Sequence, residues 1–464
     1  MTDSIGPQFT YLLSLLSDSE IILPPSDLYN AETSTWAAQK NLHPRLVLRP
    51  SSTESLSKVI AYLSTTDLDI SIRGSGYGSA SAKDVVVSMA AFDDFEFDRE
   101  DEVLKIGAGL RWRDYYEKME RVAPDYHVVA ARTPALSIGG SILSAGFSWL
   151  ARQYGNTSDV SNFLDAECIL PSGEVLWASK NPDLLWALRG GGGSFCVVTK
   201  FKLRAYKYTR QIWAGPIIIP RRHLDLVAKG VAGMQRRAER DEIPPQVTND
   251  LYVVSKAQAA HMGATEDLLI VQAFDALGEE HGRSEHGFKW ALDIPGSMDM
   301  TKVTDLRGVS MMQEQVASLK GAFKTFWQPL TVGPLDQSII LNAVSWFDRV
   351  VSSGGSISPS AQLVFECLCT RASSSGAHSS AWPRPPGMTN TIICAAGCVA
   401  AEGTDNELEK ARRLCLEAPG LILPRDQSGK GVRIAPNAVE SFHELRDVSF
   451  SPSLPRQLDE VDVI

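Results

Sequence analysis

Trp186-Ala187-Leu188-Arg189-Gly190-Gly191-Gly192-Gly193-Ser194-Phe195-Cys196-Val197-Val198-Thr199-Lys200-Phe201 sets four consecutive glycines between a helix-like run and a β-branched, strand-like run. Glycine lacks a Cβ and reaches positive φ at little cost, so such a run lets several N–H groups converge on an anionic or planar ligand. Four glycines also suit an ordinary tight loop. Two upstream tracts decide between these readings.

The first, Ser71-Ile72-Arg73-Gly74-Ser75-Gly76-Tyr77-Gly78-Ser79, follows an apolar-alternating stretch over 67–72 and carries glycine at every second position from Gly74. Strand, glycine turn, then small polar residues is chemistry for cradling phosphate. It is not the dinucleotide fingerprint of doubly wound sheets: read from Gly74, the third glycine falls one place early, Ser79 occupies its slot, and no clear helix opens on it. The second tract, Thr133-Pro134-Ala135-Leu136-Ser137-Ile138-Gly139-Gly140-Ser141-Ile142-Leu143-Ser144-Ala145-Gly146-Phe147-Ser148-Trp149, is almost wholly small, apolar or hydroxylic. A charge-free tract of this kind lines a narrow slot with backbone donors and hydroxyls, or forms a buried helix packed through small residues.

In this order and spacing the three tracts resemble the FAD-binding domain of the vanillyl-alcohol oxidase and p-cresol methylhydroxylase superfamily, and within it the berberine-bridge-enzyme-like oxidases. Tyr29-Asn30, Trp36, Pro44-Arg45-Leu46-Val47-Leu48-Arg49-Pro50, Val103-Leu104-Lys105-Ile106-Gly107-Ala108-Gly109 and Asp183-Leu184-Leu185-Trp186-Ala187-Leu188-Arg189-Gly190 add to the resemblance. It is strong over residues 25–203 and much fainter beyond. It implies an α+β fold: a two-subdomain FAD-binding domain over 1–207, a substrate-binding domain with an antiparallel sheet flanked by helices over 208–420, and a segment over 421–464 that returns to the FAD domain. The residues agree, because after Lys207 strand patterns over 212–219, 250–254, 267–274, 362–368 and 391–399 alternate with helical ones over 224–237 and 408–416. Earlier, Ser51-Ser52-Thr53-Glu54 predicts a helix start, 112–121 a helix, and the turn Pro171-Ser172-Gly173 a hairpin.

Carried onto this chain, the family pattern places the FAD pyrophosphate on Arg73, Gly74, Ser75, Gly76, Tyr77, Gly78 and Ser79. Pro134, Ser137, Ile138, Gly139, Gly140, Ser144, Gly146 and Phe147 then run along the diphosphate and flavin, and Asp159, Gly193 and Val198 complete the ribityl and adenine pocket. Three departures stand out. Tyr77 occupies the place of the histidine that links flavin covalently in many relatives, and Thr133 that of the cysteine that makes a second link, so the resemblance implies noncovalent FAD. Thr391 falls at the position of the carboxylate base, where a neutral hydroxyl is a poor base. Glu366, alone in an apolar strand-like run, is the nearest alternative, with Tyr77, Tyr154 and His378 as further candidates. The family's closing motif at the C-terminus is absent, and Asn437 is the remnant flavin contact.

Composition narrows the function classes. The chain has 464 residues, 44% of them hydrophobic and 22% charged, and a net charge of −10, which argues against general affinity for nucleic acid or an anionic membrane. No apolar run is long enough to span a bilayer, and the first residues lack a basic signal region, which predicts an intracellular protein. The seven cysteines are odd in number, sit mostly in apolar runs and lack zinc-site spacing, so no metal is expected. The resemblance implies an FAD-dependent oxidase of a hydrophobic small molecule in natural-product chemistry, with hydride passing to flavin N5, oxidative ring closure where the substrate allows it, O2 as acceptor and oligomeric state open. The alternative, favoured by the lost anchors and base, is a redox-neutral cyclase or pericyclase that uses the same pocket.

Overall fold

The structure, a computed structural model, describes residues 7–260, 263–333, 335–368, 380–381, 390–423 and 433–434. A four-stranded sheet comes first, ordered β1 (Ile21–Ile22), β2 (Leu46–Leu48), β4 (Val85–Ser88), β3 (Ile70–Arg73). β1 is antiparallel to β2, whereas β2, β4 and β3 run parallel. Parallel strands need a crossover, and helix Thr53–Leu63 supplies it between β2 and β3. The Ser52 hydroxyl caps that helix, accepting from the Ser55 N–H at 3.1 Å. Leu56, Val59, Ile60 and Leu63 share its buried stripe and pack with Leu46, Leu48, Val85 and Val87. Because β3 is an edge strand, the chain leaves it at Arg73 straight into the loop 74–79.

The second sheet is antiparallel: β5 (Phe95–Asp98), β6 (Val103–Gly107), β10 (Val197–Lys207), β8 (Phe163–Ile169) and β9 (Val175–Trp177) in that order, with β7 (Tyr126–Val128) also on β10. β8 and β9 form the expected hairpin, with Gly173 at φ 84 in its turn. The four-glycine run leads directly into β10.

Beyond Lys207 the chain enters a third, antiparallel sheet of nine strands among the described residues. Its order is β14 (Met298–Asp299), β11 (Ile212–Pro220), β13 (Leu268–Asp275), β12 (Val247–Val254), β17 (Gln362–Cys367), β18 (Asn390–Val399), β16 (Phe323–Val332), β19 (Arg433–Ile434), with β15 (Lys302–Thr304) beside β14 on β11. Helices Leu224–Glu239, Gln337–Val351 and Asp405–Ile422 pack on one face, in a core that holds the aligned row Leu251, Phe365, Ile392 and Leu330. Side chains alternate along a strand, so the neighbouring row belongs to the opposite face: Asp250 pairs with Glu366, Glu366 with Thr391, and Thr391 with Thr331. That face looks onto the first two sheets.

All five strands expected beyond Lys207 are present, as are helices over both expected stretches. β16 and helix Gln337–Val351 were not expected. Pro329 inside β16 argues against a strand on composition alone, yet it pairs with Ile393 in an unbroken ladder. Of the segment 421–464, the described strand β19 adds to β16 at the edge of the third sheet, and most of the remainder lies outside the described residues. Among the described residues no helix is long and apolar enough to cross a membrane.

Candidate functional site

A cleft of about 560 Å³ opens between the glycine tracts and the helix-free face of the third sheet. One wall is the loop 74–79 together with Thr133, Leu136, Ser137, Gly140, Ser141, Ser144, Gly146 and Phe147; the other holds Trp327, Pro329, Ile393 and Glu366. Trp36, Ala37 and Arg132 join the two.

The first wall is built for close backbone approach. A Cβ on Gly74 would lie 2.0 Å from Ser137 Oγ, so only glycine lets the two tracts meet there. They are tied by the Ser137 N–H donating to Ser75 Oγ at 2.8 Å. Gly76 takes φ +76, and a Cβ on Gly78 would meet nothing within 4 Å, so this glycine leaves its backbone open to the cleft. Ser79 N–H donates to the Gly76 carbonyl at 3.2 Å, while the N–H groups of Ser75, Gly76, Tyr77 and Gly78 have no partner among the described residues. Converging N–H donors without internal partners are what an anionic ligand satisfies.

Several residues expected at the cofactor stand behind this wall and do not line it. Arg73 is buried and committed elsewhere: its guanidinium lies 3.3 Å from Glu32 and donates to the Ser34 carbonyl at 2.6 Å, which fixes the root of the loop. Ile138 and Gly139 are buried under the second tract, held by N–H bonds to the carbonyls of Leu110 and Ala108. Pro134 is buried, its carbonyl accepting from the Arg113 N–H. The four-glycine run packs against the second tract, with Gly192 N–H donating to the Leu143 carbonyl at 3.1 Å and a Cβ on Gly193 falling 3.6 Å from Leu143 Cδ1. Val198 is buried in β10 opposite Cys168, and Asp159 is buried with Oδ2 accepting from the Asn156 N–H at 2.8 Å. Tyr154 stacks on Tyr206 at 4.1 Å, away from the cleft. His378 and Asn437 lie outside the described residues.

The second wall has different chemistry. Glu366 of β17 lies directly across from Thr391 of β18, so the carboxylate stands beside the position where the family pattern expects one. Arg132, at the head of the second tract, reaches across the cleft and pairs with both Glu366 and Asp250. Asp250 is fully buried, and that burial raises its pKa against the lowering pull of Arg132 and the Tyr252 hydroxyl. The Tyr252 hydroxyl donates to Asp250 at 3.2 Å and accepts from Gln313 Nε2 at 3.1 Å. Gln313 Oε1 in turn accepts from the Thr133 hydroxyl at 3.2 Å, so a bonded chain links the cleft lining to the buried acid. Glu366 Oε2 is buried without a partner among the described residues. Around these groups the wall is apolar and aromatic, with Trp36 and Trp327 at 6.2 Å and Trp36 and Tyr77 at 5.6 Å between ring centres. Burial raises the Tyr77 pKa, which keeps its phenol neutral.

Arg132 and Asp250 escaped the sequence reading. The signal was present: Arg132 is the single Asp, Glu, Lys or Arg between Asp125 and Arg152, and Asp250, like Glu366, is a lone acid in an apolar strand. Nothing local says that these three meet.

Residues 44–179 match the FAD binding domain family. The FAD-dependent monooxygenase tpcD of Cochliobolus heterostrophus is 31% identical over 193 residues, 40% of this chain and 36% of that protein. The (R)-6-hydroxynicotine oxidase of Paenarthrobacter nicotinovorans is 26% identical over 202 residues, 42% of this chain and 43% of that protein. The matched part thus spans less than half the length of these relatives. Likeness of fold runs further: the crystal structure of 6-hydroxy-D-nicotine oxidase from Arthrobacter nicotinovorans superposes with a TM-score of 0.79 at 19% identity, covering 96% of this chain and 95% of that one. A berberine bridge enzyme variant in complex with (S)-reticuline gives 0.73 at 16% identity, covering 94% and 88%. The unpaired N–H groups of the loop 74–79 and the glycine contacts that hold it fit the phosphates of FAD.

Proposed function

We propose that this chain, whose residues 44–179 match the FAD binding domain family, is an FAD-dependent oxidoreductase that oxidises a hydrophobic small molecule at a carbon bearing a hydroxyl or amine, with Glu366 as the base. The observation that carries this reading is the place of Glu366: on the cleft, opposite Thr391, with Oε2 unpartnered. FAD bound along the glycine wall supplies the two-electron acceptor. Glu366 Oε2 takes the proton of the substrate's O–H or N–H, while Arg132 holds the other oxygen and so fixes the carboxylate's orientation. Trp36, Trp327, Pro329 and Ile393 seat the apolar body of the substrate and keep water from the acid–base pair.

Tyr77 and Thr133 at the two linking positions support noncovalent retention of FAD, and apparent stability then rises with added cofactor. The names of the relatives, fungal FAD-dependent monooxygenases and a hydroxynicotine oxidase, support a small organic substrate and O2 as electron acceptor, and the reading extends to a role in secondary metabolism. The test is anaerobic mixing of FAD-loaded protein with a panel of apolar alcohols and amines, 6-hydroxy-D-nicotine included, while the visible flavin band is followed. Bleaching is expected. A substrate that turns over with the band unchanged would replace this reading by the redox-neutral cyclase, for which the lost linking residues are the supporting observation.

A further inference from the structure

Two cations with no carboxylate partner among the described residues stand near the loop 74–79: Lys320, which touches it, and Arg111, whose charge acts on Tyr77 and Lys320. Lys320 follows the short helical run Glu314–Leu319, just ahead of β16. Its ammonium donates to the Ser75 carbonyl at 2.8 Å and stands 5.4 Å over the Tyr77 ring. Arg111 precedes helix Trp112–Val122, and its backbone bridges to Ser137 of the cleft lining. The nearby acid, Glu32, is already spent: its Oε2 accepts from the Ser88 hydroxyl at 2.8 Å and pairs with Arg73.

Burial, with Arg73 and Arg111 nearby, lowers the Lys320 pKa to about 8, against the weaker upward pull of Glu32. Holding a half-buried ammonium among like charges is costly unless an anion joins them. The N–H groups of Ser75, Gly76, Tyr77 and Gly78, in the loop that Lys320 touches, have no acceptor among the described residues. Unpaired cations and unpaired amides thus gather at one loop.

We propose that Lys320 and Arg111 clamp the pyrophosphate of FAD against the loop 74–79, so that a lysine carried by the second half of the chain does the retaining that a covalent link does elsewhere. The proposal rests on the reading that FAD lies along the glycine wall. It adds that cofactor retention depends on the segment 314–320, which also carries Val316 of the cleft lining and Glu314, paired with Arg113 at 2.7 Å. Substrate-side packing and cofactor affinity are therefore linked through one short stretch.

The experiment is titration of the apo full-length chain with FAD and, separately, with riboflavin, which has the ring but no phosphate. Lys320→Met is expected to weaken FAD binding roughly ten- to a hundredfold, the size of a lost charge-assisted hydrogen bond, while riboflavin affinity stays at the wild-type value. Lys320→Arg retains most of the FAD affinity, and Arg111→Met gives a smaller loss with the same selectivity. Rising salt erodes wild-type FAD affinity more than that of Lys320→Met. Equal loss of riboflavin and FAD overturns the clamp in favour of a packing role, and unchanged FAD affinity in Lys320→Met overturns it outright. Wild-type chain that takes up no FAD sinks the glycine cradle itself, a failure distinct from the other two.

Discussion

The two walls of the cleft are made from opposite materials. The glycine wall offers main-chain donors, and its order comes from contacts that exclude even a methyl group, such as Gly74 against Ser137. The sheet wall offers a few side chains, chiefly acceptors, set among aromatic and branched residues and held by one arginine. A donor wall suits a cofactor rich in phosphate and carbonyl oxygen. An acceptor wall suits a substrate that must lose a proton. The difference implies that damage to one side should separate cleanly from damage to the other.

The strongest test of that separation is Glu366→Gln. The amide keeps the size and the contact with Arg132 but cannot take a proton, so turnover is expected to fall by about 10²–10⁴-fold, the usual worth of a general base. FAD affinity should not move. Turnover within a few-fold of wild type, measured with FAD saturating, would strip Glu366 of its role and return the question to Thr391.

Arg132→Met comes next, because Arg132 ties the two walls by ion pairs with Glu366 and Asp250. Removing it leaves Asp250 and Glu366 facing each other in a buried site, and breaking a buried pair in this way costs about 3–5 kcal/mol. Chemical denaturation should show that loss, and Arg132→Met with Asp250→Asn should recover part of it, since one of the stranded charges is gone. If the single variant unfolds at the wild-type midpoint, the bridge between the walls is not what holds them in register.

The same contrast explains what could be read from the chain. The glycine wall was legible because its parts are local: alternate glycines from Gly74, hydroxyls and glycines from Thr133 to Phe147, each recognisable within a few residues. Even there the leading motif is set apart, since the Gly190-Gly191-Gly192-Gly193 run meets the second tract at Leu143 and is not in the lining of this cleft. The sheet wall was legible only as strands. That Glu366 sits opposite Thr391 is a matter of register between β17 and β18, and that Arg132 reaches both acids requires the two halves of the chain to be docked. Register follows from the whole sheet's apolar face, not from any one strand. β16, which supplies Trp327 and Pro329, stayed hidden because its proline argues locally for a break.

Acid should pull the two sides in opposite directions, by a smaller amount. His127, in β7 of the second sheet, is buried, and desolvation lowers its pKa from 6.5 to about 4 despite the raising influence of Asp305. Between those values the unfolded chain binds a proton that the folded chain refuses, so this stability is complete above pH 6.5 and is lost as pH falls towards 4. At about 1.4 kcal/mol per pKa unit the full window is worth at most about 3 kcal/mol. Asp250 has the reverse sign. Burial raises its folded pKa above 3.8, so the folded chain keeps a proton that the unfolded chain has released, and its contribution is present below 3.8 and lost as pH rises through the folded value. Thermal unfolding followed from about pH 7 to 4 should therefore show a midpoint that drops less in His127→Gln than in wild type, and more in Asp250→Asn, because one variant removes the acid penalty and the other removes the acid gain. If both variants shift the curve in parallel with wild type, neither group titrates as its burial demands, and the opposition between the walls is one of shape alone.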